Sequence, residues 1–261
     1  MKSSEELKRD ARESLRGNMG KAGGTYLVYM IATVGISFVL SWIPIVGTIA
    51  ASLIAAGILY GCVAVLMKIK RNQEVSVLGC LEEGIKMFWK VFCCNLWVLL
   101  NVLLWSILFV ISMSLFIYGI SENALLAIGG LVLMIFSVFK LVIKSLSFSL
   151  VNFLIYDNKD LRAKDIVNKS EEIMKENGNV KSLFMLNLSF FGWLIVYYIG
   201  ASVASLLMEV QGVLGFISYI AVIAFGLFFL SPYMQMANIC FYEELVGPKE
   251  TIENEDPIMN I

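Results

Sequence analysis

The sequence predicts an all-α fold: a polytopic membrane helical bundle of six transmembrane helices with three cytoplasmic amphipathic helices. Three observations predict it. Only 16% of the 261 residues are charged and 59% are hydrophobic, against roughly 25% charged and about 45–50% apolar in a soluble domain. The deficit of charge is concentrated: Thr25–Met67 contains no Lys, Arg, Asp or Glu, and Val91–Phe139 contains only Glu122. Uncharged apolar runs of about 18 residues or more are long enough to cross a bilayer. The cations fall on alternate connections, which orients the chain. The N-terminus, the Lys68–Lys90 segment and the Lys159–Lys181 segment hold nearly all of them, whereas the turns at Pro44, Glu122 and Glu209 hold none. The positive-inside bias makes the basic segments, and with them both termini, cytoplasmic.

Residues 1–24 form the first amphipathic piece. Ser3 with Glu6 makes a capping box, Leu7, Ala11 and Leu15 recur every four residues, and Gly17 supplies the stop. Six cations among four acids, with no small-residue cleavage site after the first apolar run, do not make a signal peptide. A six-span membrane domain follows over 25–245. The first span, about 25–45, ends at Trp42 and Pro44, an interfacial aromatic and a turn residue. The second, about 48–67, places small residues at Ala51/Ala55, Ser52/Ala56 and Gly57/Gly61, a spacing that lets helix backbones approach closely. Lys68, Lys70 and Arg71 close it.

From Val75 to Lys90 a second amphipathic stretch carries Leu78, Leu81, Ile85 and Phe88 on one stripe, with Glu82, Glu83, Lys86 and Lys90 elsewhere. It reads as an interfacial helix. The third span, about 91–116, includes Asn95, Asn101, Trp97 and Trp105, and the fourth, about 125–144, ends with Lys140 and Lys144 on one face. Both lysines are expected to snorkel toward headgroups. Ser145–Tyr156 stays apolar but alternates with Ser147, Ser149 and Asn152, and a helix extension and a re-entrant piece both fit it. The polar loop Asp157–Lys181 holds the third amphipathic helix, with Ala163, Ile166, Val167, Ser170, Ile173 and Met174 on its stripe and Asn177-Gly178 as its stop. The fifth and sixth spans cover about 183–207 and 213–230. Residues 246–261 form an acidic tail expected to be disordered. The order repeats three times: a cytoplasmic amphipathic helix, a lysine (Lys21, Lys90, Lys181), then a helical hairpin.

Composition excludes several chemistries. The net charge of −1 implies no nucleic-acid partner, and the chain has no histidine, which removes His-based metal sites and Ser-His or Cys-His pairs. Cys62, Cys80, Cys93, Cys94 and Cys240 show no C-x-x-C spacing and read as small apolar residues rather than a disulfide or zinc framework. No cofactor is implied. No Asp or Glu lies inside an expected span, and Ser189 has no base nearer than Lys181 or Lys144. The chain is therefore expected not to be an enzyme.

Counting along the spans brings a set of residues to the cytoplasmic face: Lys144, then Asn187, Ser189, Gly192 and Trp193, then Pro232, Tyr233, Gln235, Asn238 and Tyr242. Gln235, Asn238 and Tyr242 share one helical face. One reading is a polar pocket lined by Asn, Gln, Tyr and a cation. The weightier reading is packing, with Gly192 allowing close approach, Trp193 anchoring at the interface and Pro232 ending the sixth span.

These strings also carry a resemblance. Ala11-Arg12-Glu13-Ser14-Leu15-Arg16-Gly17-Asn18, Ile155-Tyr156-Asp157-Asn158, Asn187-Leu188-Ser189-Phe190-Phe191-Gly192-Trp193, and Ser231-Pro232-Tyr233 with Phe241-Tyr242-Glu243-Glu244-Leu245 occur in order along the chain. Together they resemble the DUF975 family, and the last two look like its "LSFIGW" and "PY…FY" signatures. Where that family commonly has a Pro-Gly pair before the lysine matching Lys144, this chain has Leu141-Val142. The resemblance implies a multi-pass protein of the bacterial cytoplasmic membrane with no established activity, and supplies no catalytic residue. The expected function is that of a non-enzymatic envelope component in contact with the lipid bilayer and with a cytoplasmic or membrane protein partner. The alternative is a small-molecule or lipid transporter.

Overall fold

A computed structural model describes residues 2–43 and 45–247. Pro44 and all of the acidic tail beyond Gly247 lie outside the described residues. In chain order the helices are α1 (Ser4–Leu15), α2 (Met19–Leu40), α3 (Val46–Lys70), α4 (Gly79–Lys86), α5 (Phe88–Glu122), α6 (Ala124–Ser147), α7 (Val151–Asp157), α8 (Ala163–Lys175), α9 (Asn179–Leu188), α10 (Phe191–Gln211), α11 (Val213–Phe225) and α12 (Ser231–Val246). A 3₁₀ turn, Glu176–Gly178, joins α8 to α9, and a π-helical turn, Gly226–Leu230, joins α11 to α12. The described residues contain no strand. Among the described residues six segments are long and apolar enough to cross a membrane, so the chain is a multi-pass membrane protein built as an all-α bundle.

Three hairpins carry the crossing segments: α2–α3, α5–α6 and α10–α11. Single residues turn two of them. Asn123 links α5 to α6 and accepts a hydrogen bond from the Leu125 amide at 2.9 Å, which satisfies one of the free donors at a helix start. Gly212 links α10 to α11 with a positive φ of 53°, a conformation that glycine adopts without a Cβ penalty.

The buried core lies at one end of these hairpins. It joins Leu7, Ala11 and Leu15 of α1, Tyr60 to Ile69 of α3, Phe153 to Ile155 of α7, Ile166 and Met174 of α8, and Met236 to Tyr242 of α12. Every basic segment meets here. Lys68 pairs with Glu83 at 2.7 Å, Lys144 with Glu171 at 2.6 Å, and Lys70 donates to Ser14 Oγ at 3.0 Å. Away from this basic end, the hairpins pack on themselves and expose apolar side chains such as Phe38, Val132, Ile199 and Ile217. Such a surface needs lipid against it rather than water.

Several expectations change in detail. Ser145–Tyr156 is neither a simple extension nor a single re-entrant helix. The fourth span runs unbroken through Leu141-Val142 to Ser147, turns at Phe148–Leu150, and gives way to the short buried α7. The span expected over 183–207 is interrupted: α9 stops at Leu188 and α10 begins at Phe191. The sixth does not end near Leu230 but passes through the π turn into α12. Around α4 the stripe read as interfacial is only partly covered by protein, with Leu81 and Phe88 half-buried. Leu78 and Ile85 are exposed, and the buried residues are Cys80 and Gly84. Gly84 and Gly61 explain this, because α4 lies so close to α3 that a Cβ on Gly61 would stand 1.8 Å from the Cys80 carbonyl oxygen. The Gly57/Gly61 spacing thus serves the contact between α3 and α4.

Candidate functional site

The basic end is fastened by an ion cluster. Arg71, one residue past α3, makes a two-pronged pair with Asp157 of α7, at 2.7 and 3.1 Å, and a further contact with Glu243 of α12 at 3.2 Å. Tyr242 donates to Asp157 Oδ2 at 2.8 Å, and the Arg71 guanidinium lies 5.5 Å from the Tyr156 ring centre. Burial disfavours the guanidinium's charge, but hydrogen bonds and charge from Asp157 and Glu243 outweigh it and raise its pKa. Arg71 therefore remains a cation at any working pH. Tyr242, a residue of the predicted set, is spent on this fastening, its ring also lying tilted against Phe153 with centres 5.2 Å apart. Arg71 itself escaped notice because in the sequence it is one of three cations closing a span.

The Asn187–Trp193 string divides its residues among several tasks. The chain breaks at Ser189–Phe190, and Lys8 of α1 donates to the freed Ser189 carbonyl at 3.0 Å. The same ammonium lies 4.7 Å from the centre of the buried Phe190 ring, and burial lowers its pKa. Phe190 meets Tyr233 edge-on at 5.2 Å. The Ser189 hydroxyl donates to the Leu186 carbonyl, so it is engaged with its own helix. Gly192 makes no close approach: a Cβ there would meet nothing within 4 Å. The packing role expected of it is not seen. Lys8→Met is expected to cost about 1.5–3 kcal/mol, the range for a hydrogen bond from a charged group. Lys8→Arg should recover part of that loss, and chemical unfolding in mixed micelles measures both.

Pro232 is buried but does not end a helix. It has no amide proton to give to the preceding turn, and the chain widens there into the Gly226–Leu230 π turn. Ser231 Oγ donates to the Gly226 carbonyl at 3.0 Å. The Ser231-Pro232 pair thus sets a local widening and supplies its hydrogen bond. Lys144 leaves the set altogether, since its ammonium is held by Glu171 on α8.

The remaining predicted residues line two separate cavities. The first, of about 360 Å³, is walled by Leu15, Met19, Trp193, Phe225, Phe229, Leu230 and Tyr233, with Arg12, Arg16 and Gly17 beside them. It is an aromatic groove with two arginines at its edge, and neither arginine forms an ion pair with a described residue. The second, of about 220 Å³, brings together Asn187, Gln235 and Asn238 with Asn152, Ser149, Leu59, Val63, Leu150, Phe153 and Leu183. The i, i+3 relation of Gln235 and Asn238 foreshadowed it. Asn152 did not, because the course of the chain around it was open. Among the described residues, no group of three or more His, Cys, Asp or Glu side chains is placed to hold a metal ion.

The family model described as "Protein of unknown function (DUF975)" matches residues 1–249. No curated protein and no solved structure matches.

Proposed function

Because the chain belongs to the DUF975 family, whose description assigns no activity, we propose from its own geometry that it is a non-enzymatic, lipid-interacting component of the bacterial envelope. The basic end faces the cytoplasm by the positive-inside bias. There the aromatic groove takes an acyl chain of an anionic phospholipid, and Arg12 and Arg16 hold its phosphate. The observation that carries this reading is the groove's composition: apolar and aromatic walls with two arginines at one edge, neither ion-paired with a described residue. Arginine matches phosphate geometry with paired N–H donors, and Trp193 and Tyr233 suit the level where headgroups meet chains. A transporter needs a polar route toward the opposite end. The preference for the lipid reading rests on the groove and its two arginines.

The test is retention of phosphatidylglycerol against phosphatidylcholine by the purified protein, read by native mass spectrometry. Each basic residue near an anionic surface contributes roughly 1 kcal/mol. Arg12→Gln with Arg16→Gln should therefore weaken phosphatidylglycerol retention by roughly 20–30-fold, at about 1.4 kcal/mol per factor of ten, and leave phosphatidylcholine unchanged. Equal retention of phosphatidylglycerol by the variant and the parent would sink the proposal.

A further inference from the structure

We propose that the cavity between α3, α7, α9 and α12 is a binding site for a small neutral polyol. Four primary amides converge on it: Asn152 from α7, Asn187 from α9, and Gln235 and Asn238 from α12. None of these side chains forms a hydrogen bond to another described residue, and the Asn238 Oδ1 is fully buried without a partner. The depth makes this costly. Asn152 lies five residues before Asp157 and Asn238 five before Glu243, so each sits roughly 7–8 Å below the ion cluster, at about 1.5 Å per helical residue. Gln235 lies about 12 Å below it by the same rise. Leu59, Val63, Leu150, Phe153 and Leu183 supply the rest of the wall with Ser149, whose hydroxyl donates to the Leu146 carbonyl. An amide placed in such surroundings without a partner is unfavourable, and buried polar side chains are ordinarily paired. The Asn238 Oδ1 is such a group, and together with three half-buried amides around the same space it indicates a polar occupant.

The chemistry of the wall selects the occupant. No charged side chain among the described residues lines the cavity, so a phosphate or an ammonium group would lose its hydration without gaining a counter-charge. Each primary amide offers two N–H donors and two carbonyl lone pairs. A hydroxyl group both donates and accepts, and therefore pairs with any of the four amides in either role. The volume of about 220 Å³ equals that of roughly seven waters at about 30 Å³ each, the scale of a compact polyol or monosaccharide. This site is separate from the arginine-edged groove and does not depend on lipid binding there.

The experiment is saturation-transfer NMR on the full chain in phospholipid nanodiscs. Glycerol, myo-inositol and D-glucose serve as neutral probes, with glycerol 3-phosphate and D-glucose 6-phosphate as charged counterparts. At least one neutral probe is expected to bind saturably, and its phosphate at least tenfold more weakly. Gln235→Leu with Asn238→Leu should weaken the neutral probe at least tenfold, whereas Arg12→Gln with Arg16→Gln should leave it unchanged. Asn187→Ser, a milder change, gives a second measure if the leucine pair does not fold. The proposal is overturned if no neutral probe binds the parent saturably, which would mean that water alone fills the cavity. It is equally overturned if the phosphates bind as tightly, or if binding survives loss of the amides.

Discussion

Arg71→Met is expected to cost about 3–5 kcal/mol of stability, the range for removing one partner of a buried ion pair. The arginine side chain is 13% exposed, and the carboxylates it serves, Asp157 and Glu243, are 3% and 13% exposed. Without the guanidinium, two carboxylates from α7 and α12 face each other in a poorly solvated place. The loss is expected to come from leaving those carboxylates without the guanidinium's counter-charge rather than from the contact itself. Arg71→Met with Asp157→Leu and Glu243→Leu should accordingly be more stable than Arg71→Met alone, because apolar replacement of a whole buried ion set is often neutral. Chemical unfolding in mixed micelles reads both variants. A loss under about 1 kcal/mol for Arg71→Met would show that the cluster does not hold α3, α7 and α12 together.

Gly61→Val is expected to be the second most damaging single change, at about 3 kcal/mol, the upper part of the usual range for overpacking. The obstacle is the backbone of α4 rather than a movable side chain: a Cβ on Gly61 would stand 1.8 Å from the Cys80 carbonyl oxygen and 2.7 Å from its carbon. Neither helix can yield cheaply, since Cys80 and the α3 residues around Gly61 are fully buried. Gly192→Ala is the contrast. Its Cβ meets open space, and alanine in a helix is favoured over glycine by roughly 0.5–1 kcal/mol, so stability should hold or rise slightly. If Gly61→Val and Gly192→Ala unfold at the same denaturant concentration, the close approach of α3 and α4 is not a stabilising contact.

The span count and the gathering of cations were legible because they rest on averages over twenty residues. Thr25–Met67 cannot hide its lack of charge, and a single misplaced turn does not alter it. The breaks were not legible, because each depends on a contact made far along the chain. The interruption at Ser189–Phe190 is held by Lys8 from α1, and no local signal marks it beyond the string itself. The same holds for Asn152, which is ordinary until α7 sets it beside Gln235 and Asn238. Gly192 and Lys144 show the opposite error. Depth groups both with the site but says nothing about what lies beside them: the Lys144 ammonium turns to Glu171, and Gly192 borders open space.

The placement of the core at one end has a consequence for the membranes this chain can occupy. At about 1.5 Å per residue, α5, with 35 residues, is about 52 Å long. By the same rise, α10, with 21 residues, is about 32 Å long. A hydrocarbon layer is about 30 Å thick. In a tightly packed bundle such unequal lengths would force one compromise between the bilayer and all six crossings. Here α5 packs chiefly on α6 and α10 chiefly on α11, so each hairpin is expected to tilt on its own to relieve hydrophobic mismatch. The chain is therefore expected to tolerate a wide range of bilayer thickness, with the short α10–α11 hairpin, not the long one, setting the upper limit.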